Sequence, residues 1–201
     1  MSWLAIDTSA KHLTVIVNNG GKIFKHYEAD CGVKHSVALM PAVEKLANEA
    51  NFDISSADFI ACVVGAGSFT GIRIGVATVK ALCLAYKIPA VNITSFDTLA
   101  YNVKGERIAV IDAGHGGYYV CGYGADDKIN LPPEYALTDR VKALTEGKTV
   151  VSYAVIKQFG AQAVSAADGL IAAVNAKKGE ACPPDGLIPL YIRKSQAEEG
   201  R

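Results

Sequence analysis

Two stretches of this chain follow the same pattern, and this repeat constrains the fold more than any other feature of the sequence. Residues 2–24 (SWLAIDTSAKHLTVIVNNGGKIF) and 107–130 (RIAVIDAGHGGYYVCGYGADDKIN) each run from an apolar strand through Ile-Asp and a small-residue turn to a second strand. Asp7 and Asp112 occupy matching places in the two copies. An internal repeat of this length predicts two related structural units in one chain.

The order of the remaining segments predicts an α/β fold. Asn19-Gly20-Gly21 between apolar runs is typical of a β-hairpin, so the chain is expected to open with three antiparallel strands. Helical and strand patterns then alternate up to residue 103, which indicates a mixed sheet covered by helices. The second copy is shorter, and we expect lobes at residues 1–103 and 104–201. The proline-rich tail from Cys182 is expected to run extended over the surface.

Composition limits the classes of function. The chain has 201 residues, with 20 basic and 20 acidic side chains and a formal net charge of zero, so no strong electrostatic attraction to nucleic acid is expected. If RNA is involved, another subunit is expected to supply most of the contact. The five cysteines are scattered without a C-x-x-C pair, which favours reduced cytosolic thiols. No signal peptide and no membrane span are expected from the apolar runs.

The glycine-rich segment GAGSFTGIRIG, residues 65–75, follows an apolar strand and opens a long helix, with Ser68 placed to cap it. Such a position can bind a phosphate, but neither nucleotide-binding glycine pattern is present. The alternative is structural. Gly65 and Gly67, with Ser68 and Thr70, form a turn, and Gly71 and Gly75 share one helix face. Two helical glycines cost about 0.8–1 kcal/mol each against alanine, and close approach by another backbone would explain them.

Three other groups of residues are weighed as sites. Asp7 and Asp112 could hold a metal in a small ATP-dependent phosphotransferase, or they could simply cap the turns after their strands. The histidines have no metal-ligand spacing, and no Ser-His-Asp set can be identified from the sequence. Arg73, beside the glycine face, is either a solvated charge or a bidentate contact to a carboxylate on a partner.

Four stretches together resemble the TsaB family, also called YeaZ, over nearly the whole chain. They are IDTS, HSVALMPAVEKL, VVGAGSFTGIRIGVATVKALCLAYKIPAVNITSFDTLA and PLYIRKSQAE. The resemblance implies the two-lobed actin/Hsp70-like (ASKHA, RNase H-like) fold, with duplicated β-β-β-α-β-α-β-α units and a reduced second lobe. It also implies a role in forming threonylcarbamoyladenosine (t6A) beside the anticodon of tRNAs that read ANN codons.

In the family so identified, the TsaB-like protein is a non-catalytic partner of the TsaD-type transferase, and a TsaE-like ATPase joins them. The resemblance implies no intrinsic cofactor or metal, because Ile93 and Asp97 stand where catalytic relatives carry two metal-binding histidines. A nucleotide at the junction with the partner stays open. A cytoplasmic location, indirect contact with tRNA and a homodimer of the free chain are expected.

The resemblance also implies a partner-binding surface on the first two long helices. The glycines are expected to let a partner helix come close, and Arg73 is included as a partner contact. The expected partner-binding residues are His35, Leu39, Val43, Gly71, Arg73, Ile74, Gly75 and Thr78.

Overall fold

The structure is a computed structural model that describes residues 1–193, with only the backbone of Val33. The chain divides into two compact units. The first contains Met1–Ser95 and Ala173–Leu190, and the second contains Phe96–Ala172 and the end of the described chain. These units differ from the predicted lobes, because the first ends earlier than residue 103 and regains a later segment.

The first unit is built on a five-stranded mixed sheet in the order β3-β2-β1-β4-β5. The β2–β3 hairpin turns through Gly20 and Gly21, both with positive φ, which confirms the predicted turn. The elements in chain order are β1 (Trp3–Asp7), β2 (Leu13–Asn19), β3 (Lys22–Glu28), α1 (His35–Glu49), β4 (Phe59–Val63), α2 (Phe69–Tyr86) and β5 (Ala90–Ile93), followed by α3 (Ser95–Ala100), which belongs to the second unit from Phe96 on.

The second unit repeats this arrangement in a smaller form. Its sheet has the order β10-β9-β6-β7-β8. If the five strands of each sheet are numbered from one in chain order, both sheets have the order 3-2-1-4-5, with the second one written here from the opposite edge. Where α2 connects two parallel strands in the first unit, only a 3₁₀ turn at Lys157–Phe159 stands in the second. The elements are β6 (Arg107–Gly114), β7 (Gly117–Tyr123), β8 (Ile129–Leu137), α4 (Thr138–Thr145), β9 (Thr149–Ser152), β10 (Gln162–Ala163) and α5 (Ala166–Lys177), whose last residues from Ala173 belong to the first unit.

The shared strand order confirms the predicted duplicated α/β fold with a reduced second unit. Two strands of the second unit were not predicted, the two-residue β10 and β8. The β8 strand contains Pro132 and Pro133, which weaken the strand signal and suit its place at the end of the sheet order.

Both α1 and α2 pack on the same face of the first sheet. Their inward side chains form one hydrophobic core with the alternate residues of β1, β2 and β4. Pro41 lies inside α1, which nevertheless runs continuously from His35 to Glu49. Ser68 caps α2 by accepting a hydrogen bond from the Gly71 N–H at 3.2 Å, as predicted. The two helices contact each other, so their opposite sides face away from the sheet together.

By length and composition alone, α2 could cross a membrane, since its 18 residues have a mean hydropathy of 1.3. One such helix is weak evidence for a membrane, because core helices of folded domains meet the same criterion. Here α2 inserts Ile72, Val76 and Val79 into the core of the first unit.

The tail does not run freely over the surface as predicted. Cys182 forms an antiparallel bridge with Ala90, and the Leu190 N–H donates to the Val64 carbonyl at 2.7 Å. Leu187 is fully buried in the core of the first unit. The prediction failed because prolines exclude regular structure without excluding burial of the apolar residues between them. The last five residues of the PLYIRKSQAE motif lie outside the described residues.

Candidate functional site

The glycine turn before α2 is folded against the protein's own backbone. A Cβ on Gly65 would lie 2.7 Å from the Leu190 carbonyl oxygen, and one on Gly67 would overlap the Ser9 carbonyl oxygen. Both glycines have positive φ, so their conformations also disfavour other residues. Ser68 and Thr70 are exposed at the start of α2. The Ser68 N–H donates to the Ser9 carbonyl at 2.7 Å, so a donor that could bind an anion is already used.

Gly71 and Gly75 lie on the buried side of α2, not on its exposed side. A Cβ on Gly71 would overlap the Thr8 carbonyl oxygen, and one on Gly75 would lie 2.5 Å from Thr8 Oγ1. The expectation that another backbone approaches closely is therefore correct, but that backbone belongs to the loop after β1. The interpretation of these two glycines as a surface for a partner helix is wrong, because Thr8 fills the space beside them.

The three residues predicted on α1 also point inward. His35, Leu39 and Val43 recur every four residues along the side that packs on the sheet, and all three are buried. The His35 ring Nε2 lies 3.0 Å from the His12 carbonyl oxygen. The family resemblance suggested these positions, but in this structure they lie on the apolar face of α1 that packs on the sheet.

The remaining predicted residues lie on or beside the exposed side of α2. Arg73 is exposed, with its guanidinium 3.8 Å from the centroid of the Phe69 ring, a cation–π geometry. Ile74 and Thr78 are half-buried. Their role in binding a partner stays a prediction.

The sequence analysis missed most of the exposed side of these two helices. Val37 is 71% exposed, Met40 42% and Leu84 67%, and all three lie on these two helices. Ala77 and Ala81 are exposed one turn apart on α2. The sequence signal for this surface is an apolar residue whose position does not follow the helical spacing of the buried residues on the same helix. We call this surface the outer face and define it by Val37, Met40, Pro41, Arg73, Ala77, Ala81 and Leu84.

Asp7, at the end of β1, is fully buried in a hydrogen-bonded network. Its Oδ1 accepts from the Ser9 backbone N–H at 2.8 Å and the Ser9 hydroxyl at 2.7 Å, and its Oδ2 lies 2.9 Å from His12 Nε2. Burial raises the pKa of Asp7, but the charge of His12 and the hydrogen bonds from His12 and Ser9 outweigh it and hold the pKa below its ordinary value.

This network brings a serine, a histidine and an aspartate together, which sequence spacing did not reveal. Its geometry differs from that of a hydrolase triad, because the Ser9 hydroxyl donates to Asp7 and not to His12. Ser9 Oγ also accepts from the Ser95 hydroxyl at 2.9 Å. Ser9 is fully buried and His12 is 4% exposed, so the arrangement fits a structural network and not a nucleophile presented to a substrate.

Asp112, the matching residue of the second unit, has a different environment. It is exposed, and its Oδ1 accepts from the Gly114 N–H at 2.7 Å, which is the turn-capping geometry. Of the two residues at the positions of the family's metal ligands, Ile93 is buried in the first unit, and Asp97 accepts from the Tyr123 hydroxyl at 2.9 Å in the second. Among residues 1–193, no group of three or more potential metal-ligating side chains lies together.

Comparisons with known proteins agree on one family. A family model described as "TsaD: tRNA N6-adenosine threonylcarbamoyltransferase" matches residues 29–143. The tRNA threonylcarbamoyladenosine biosynthesis protein TsaB of Bacillus subtilis (strain 168) is 29% identical, over 98% of this chain and 96% of that protein. Its namesake in Escherichia coli (strain K12) is 30% identical, over 63% of this chain and 57% of that protein.

Solved structures agree with the sequence comparisons. The structure of YeaZ from Pseudomonas aeruginosa superposes with a TM-score of 0.78 at 25% identity, over 94% of this chain and 99% of that chain. The family model covers more than half of the 201 residues, and the Bacillus relative covers nearly all of them. This chain belongs to the TsaD family and, among its members, to the TsaB (YeaZ) proteins.

Proposed function

We propose that this chain takes part in t6A biosynthesis as a non-catalytic partner subunit of a TsaD-type transferase. The relative that covers nearly its whole length is named for t6A biosynthesis, and the matching family model is that of the transferase itself. A chain that shares the transferase's family would pair with it through corresponding helices.

The observation that carries the proposal is the exposed apolar outer face on α1 and α2. Three large apolar side chains stand in solvent beside two exposed alanines. The alanines let a second helix approach α2 closely, and the larger side chains on either side supply apolar area to bury. Burial contributes roughly 25 cal/mol per Å² of apolar surface, part of which offsets the entropy lost on association. Exposed apolar patches of this kind mark association surfaces.

The environments of Asp7 and Asp112 support an accessory role and not an enzymatic one. Both oxygens of the Asp7 carboxylate are engaged by His12 and Ser9, and Asp112 caps a turn. A zero formal net charge supports contact with tRNA through the complex and not through this chain alone.

The remaining assignments are part of the same proposal. A TsaE-like ATPase joins the pair, and the site of action is the cytoplasm, where tRNA is modified. The chain contributes no cofactor of its own, and any bound nucleotide belongs to the junction with the partner. Without that partner, two copies of the chain pair through the outer face, because an isologous contact would cover the same apolar side chains.

The test measures binding of the purified chain to the TsaD-type subunit of the same organism by isothermal titration calorimetry. The substitution Ala77→Arg adds a bulky charge at the centre of the outer face, while arginine remains a good helix former. We expect it to abolish measurable binding with an unchanged circular dichroism spectrum. The matched control is Ala176→Arg, at an exposed alanine of α5, a helix that contributes no residue to the outer face. Equal binding by both variants would refute this docking surface.

The same preparation separates the accessory role from an enzyme. We expect no Mg-ATP turnover by the isolated chain. Turnover that copurifies with the chain and disappears in Asp112→Asn would contradict the non-catalytic assignment.

A further inference from the structure

The loop after β1 meets the first two turns of α2 along a continuous seam. The Thr8 hydroxyl donates to the Gly71 carbonyl at 2.7 Å, and Thr8 Oγ1 lies beside Gly75. The Thr8 carbonyl lies beside Gly71, and the Ser9 carbonyl accepts from the N–H of Ser68. Any movement of α2 along or away from the sheet would therefore break a buried hydrogen bond and several close contacts.

The other side of this loop is fixed just as firmly. The Ser9 N–H and hydroxyl both donate to the buried Asp7 carboxylate, and the Ser95 hydroxyl donates to Ser9. Thr8 is 1% exposed. The loop is therefore a rigid spacer between β1 and α2, and Thr8 is its contact with the helix.

The seam and the outer face lie on opposite sides of the same turns of α2. Thr8 touches Gly71 and Gly75, while Arg73 and Ala77 are exposed on the far side. We infer that Thr8 is a positioning residue for partner binding, which fixes the height and rotation of α2 so that the outer face is presented in its binding geometry. This inference rests on the proposed function, because it gives the outer face its partner.

The physical effect is preorganisation. If only a fraction of the molecules hold α2 in the binding position, the apparent Kd rises by the inverse of that fraction. Thr8→Val keeps the shape of the side chain and removes the donor to Gly71, whereas Thr8→Ser keeps the donor. We expect Thr8→Val to raise the Kd for the TsaD-type subunit by about 10-fold and Thr8→Ser to leave it within about 2-fold.

A matched control separates positioning from general stability. Ile16→Val removes one methylene from a buried residue of β2 that lies outside the core under α1 and α2, at a cost comparable to one lost hydrogen bond. Binding is measured by calorimetry at 15 °C, and circular dichroism at the same temperature checks that each variant is folded. We expect Ile16→Val to bind like the wild type.

Each outcome decides the inference. A Kd for Thr8→Val equal to that of the wild type overturns the positioning role alone, as does an equal loss of affinity in Ile16→Val. If Thr8→Val fails to fold, Thr8→Ser decides, and a large loss of affinity in that variant overturns the role. Failure of the wild-type chain to bind the TsaD-type subunit overturns the proposed function itself.

Discussion

The substitution Gly75→Ala tests the packing of α2, because the packing determines whether this change raises or lowers the free energy of unfolding. In an open helix position, replacing glycine by alanine stabilises a protein by about 0.8–1 kcal/mol. Here the new Cβ would lie 2.5 Å from Thr8 Oγ1, closer than real Cβ contacts. Overpacking of this kind costs about 1–3 kcal/mol, so we expect a net loss of stability in Gly75→Ala.

In a chain that already carries Thr8→Ala, the effect of Gly75→Ala on the free energy of unfolding should change from a loss to a gain. Removing Oγ1 leaves Cys62 Sγ at 3.7 Å as the nearest neighbour of the new methyl group, an ordinary contact. Gly75→Ala is then expected to stabilise the Thr8→Ala chain by about 1 kcal/mol, giving a coupling energy of about 1–3 kcal/mol between the two positions, equal to the overpacking cost that Thr8→Ala removes. Gly71→Ala has no such rescue, because its Cβ would overlap the Thr8 backbone carbonyl, which no substitution removes.

The assay is urea unfolding followed by circular dichroism for the four chains of the double-mutant cycle. Gly179→Ala is the control, since its Cβ would meet nothing within 4 Å and its φ is not positive. We expect that control to change the free energy of unfolding by less than about 0.5 kcal/mol. A rise in stability for Gly75→Ala in the wild-type background would refute the packing argument, and so would additivity of the two substitutions.

Three further predictions concern other parts of the molecule. Arg107 is fully buried, donates to three backbone carbonyls and pairs with Asp127 at 2.6 Å. Arg107→Met should therefore lower the free energy of unfolding in urea by about 3 kcal/mol, whereas Arg140→Met, at an exposed arginine, should lower it by less than about 1 kcal/mol. Equal losses of stability in the two variants would contradict the structural role of Arg107. Leu187→Ala should cost about 2–4 kcal/mol, while its neighbour Ile188→Ala, 67% exposed in the wild type, should stay within about 0.5, and a mild effect of the first would place the tail outside the core. The pKa of Asp7 is lower in the folded protein than its ordinary value of 3.8, so the ionised carboxylate stabilises the fold above pH 3.8, and this contribution is lost as the pH falls through the lower folded pKa. In acid titrations, the difference in free energy of unfolding between the wild type and Asp7→Asn should therefore narrow below pH 3.8. A difference that widens there would contradict the assignment.

The duplicated fold could be predicted because the evidence for it is local. Strand alternation, the Gly20-Gly21 hairpin and the Ser68 cap depend on residues close in the chain, and each agrees with the structure. The β8 strand and the tail depend on more distant partners. Pro132 in β8 and the prolines around Leu187 disfavour regular structure locally, yet pairing with β7 and burial against the first unit decide the outcome.

The partner-binding surface was harder to predict for a related reason. A helix periodicity identifies which residues share a face but not which face meets the core, and the glycines suited either side of α2. The family resemblance placed His35 and Leu39 at the partner surface, although both are buried while Val37 and Met40 on the same helix are exposed. The contact of Thr8 with Gly75 joins residues 67 positions apart, which no local pattern reports.

The central claim is that the chain acts through its outer face as a partner subunit. The most direct measurement is t6A formation on unmodified tRNA by the TsaD-type transferase and its companion proteins, supplied with threonylcarbamoyl-adenylate, with this chain omitted, added as wild type, or added as Ala77→Arg or Asp112→Asn. The account predicts t6A only with the wild type and Asp112→Asn. Full t6A formation with Ala77→Arg, or without the chain, would contradict it.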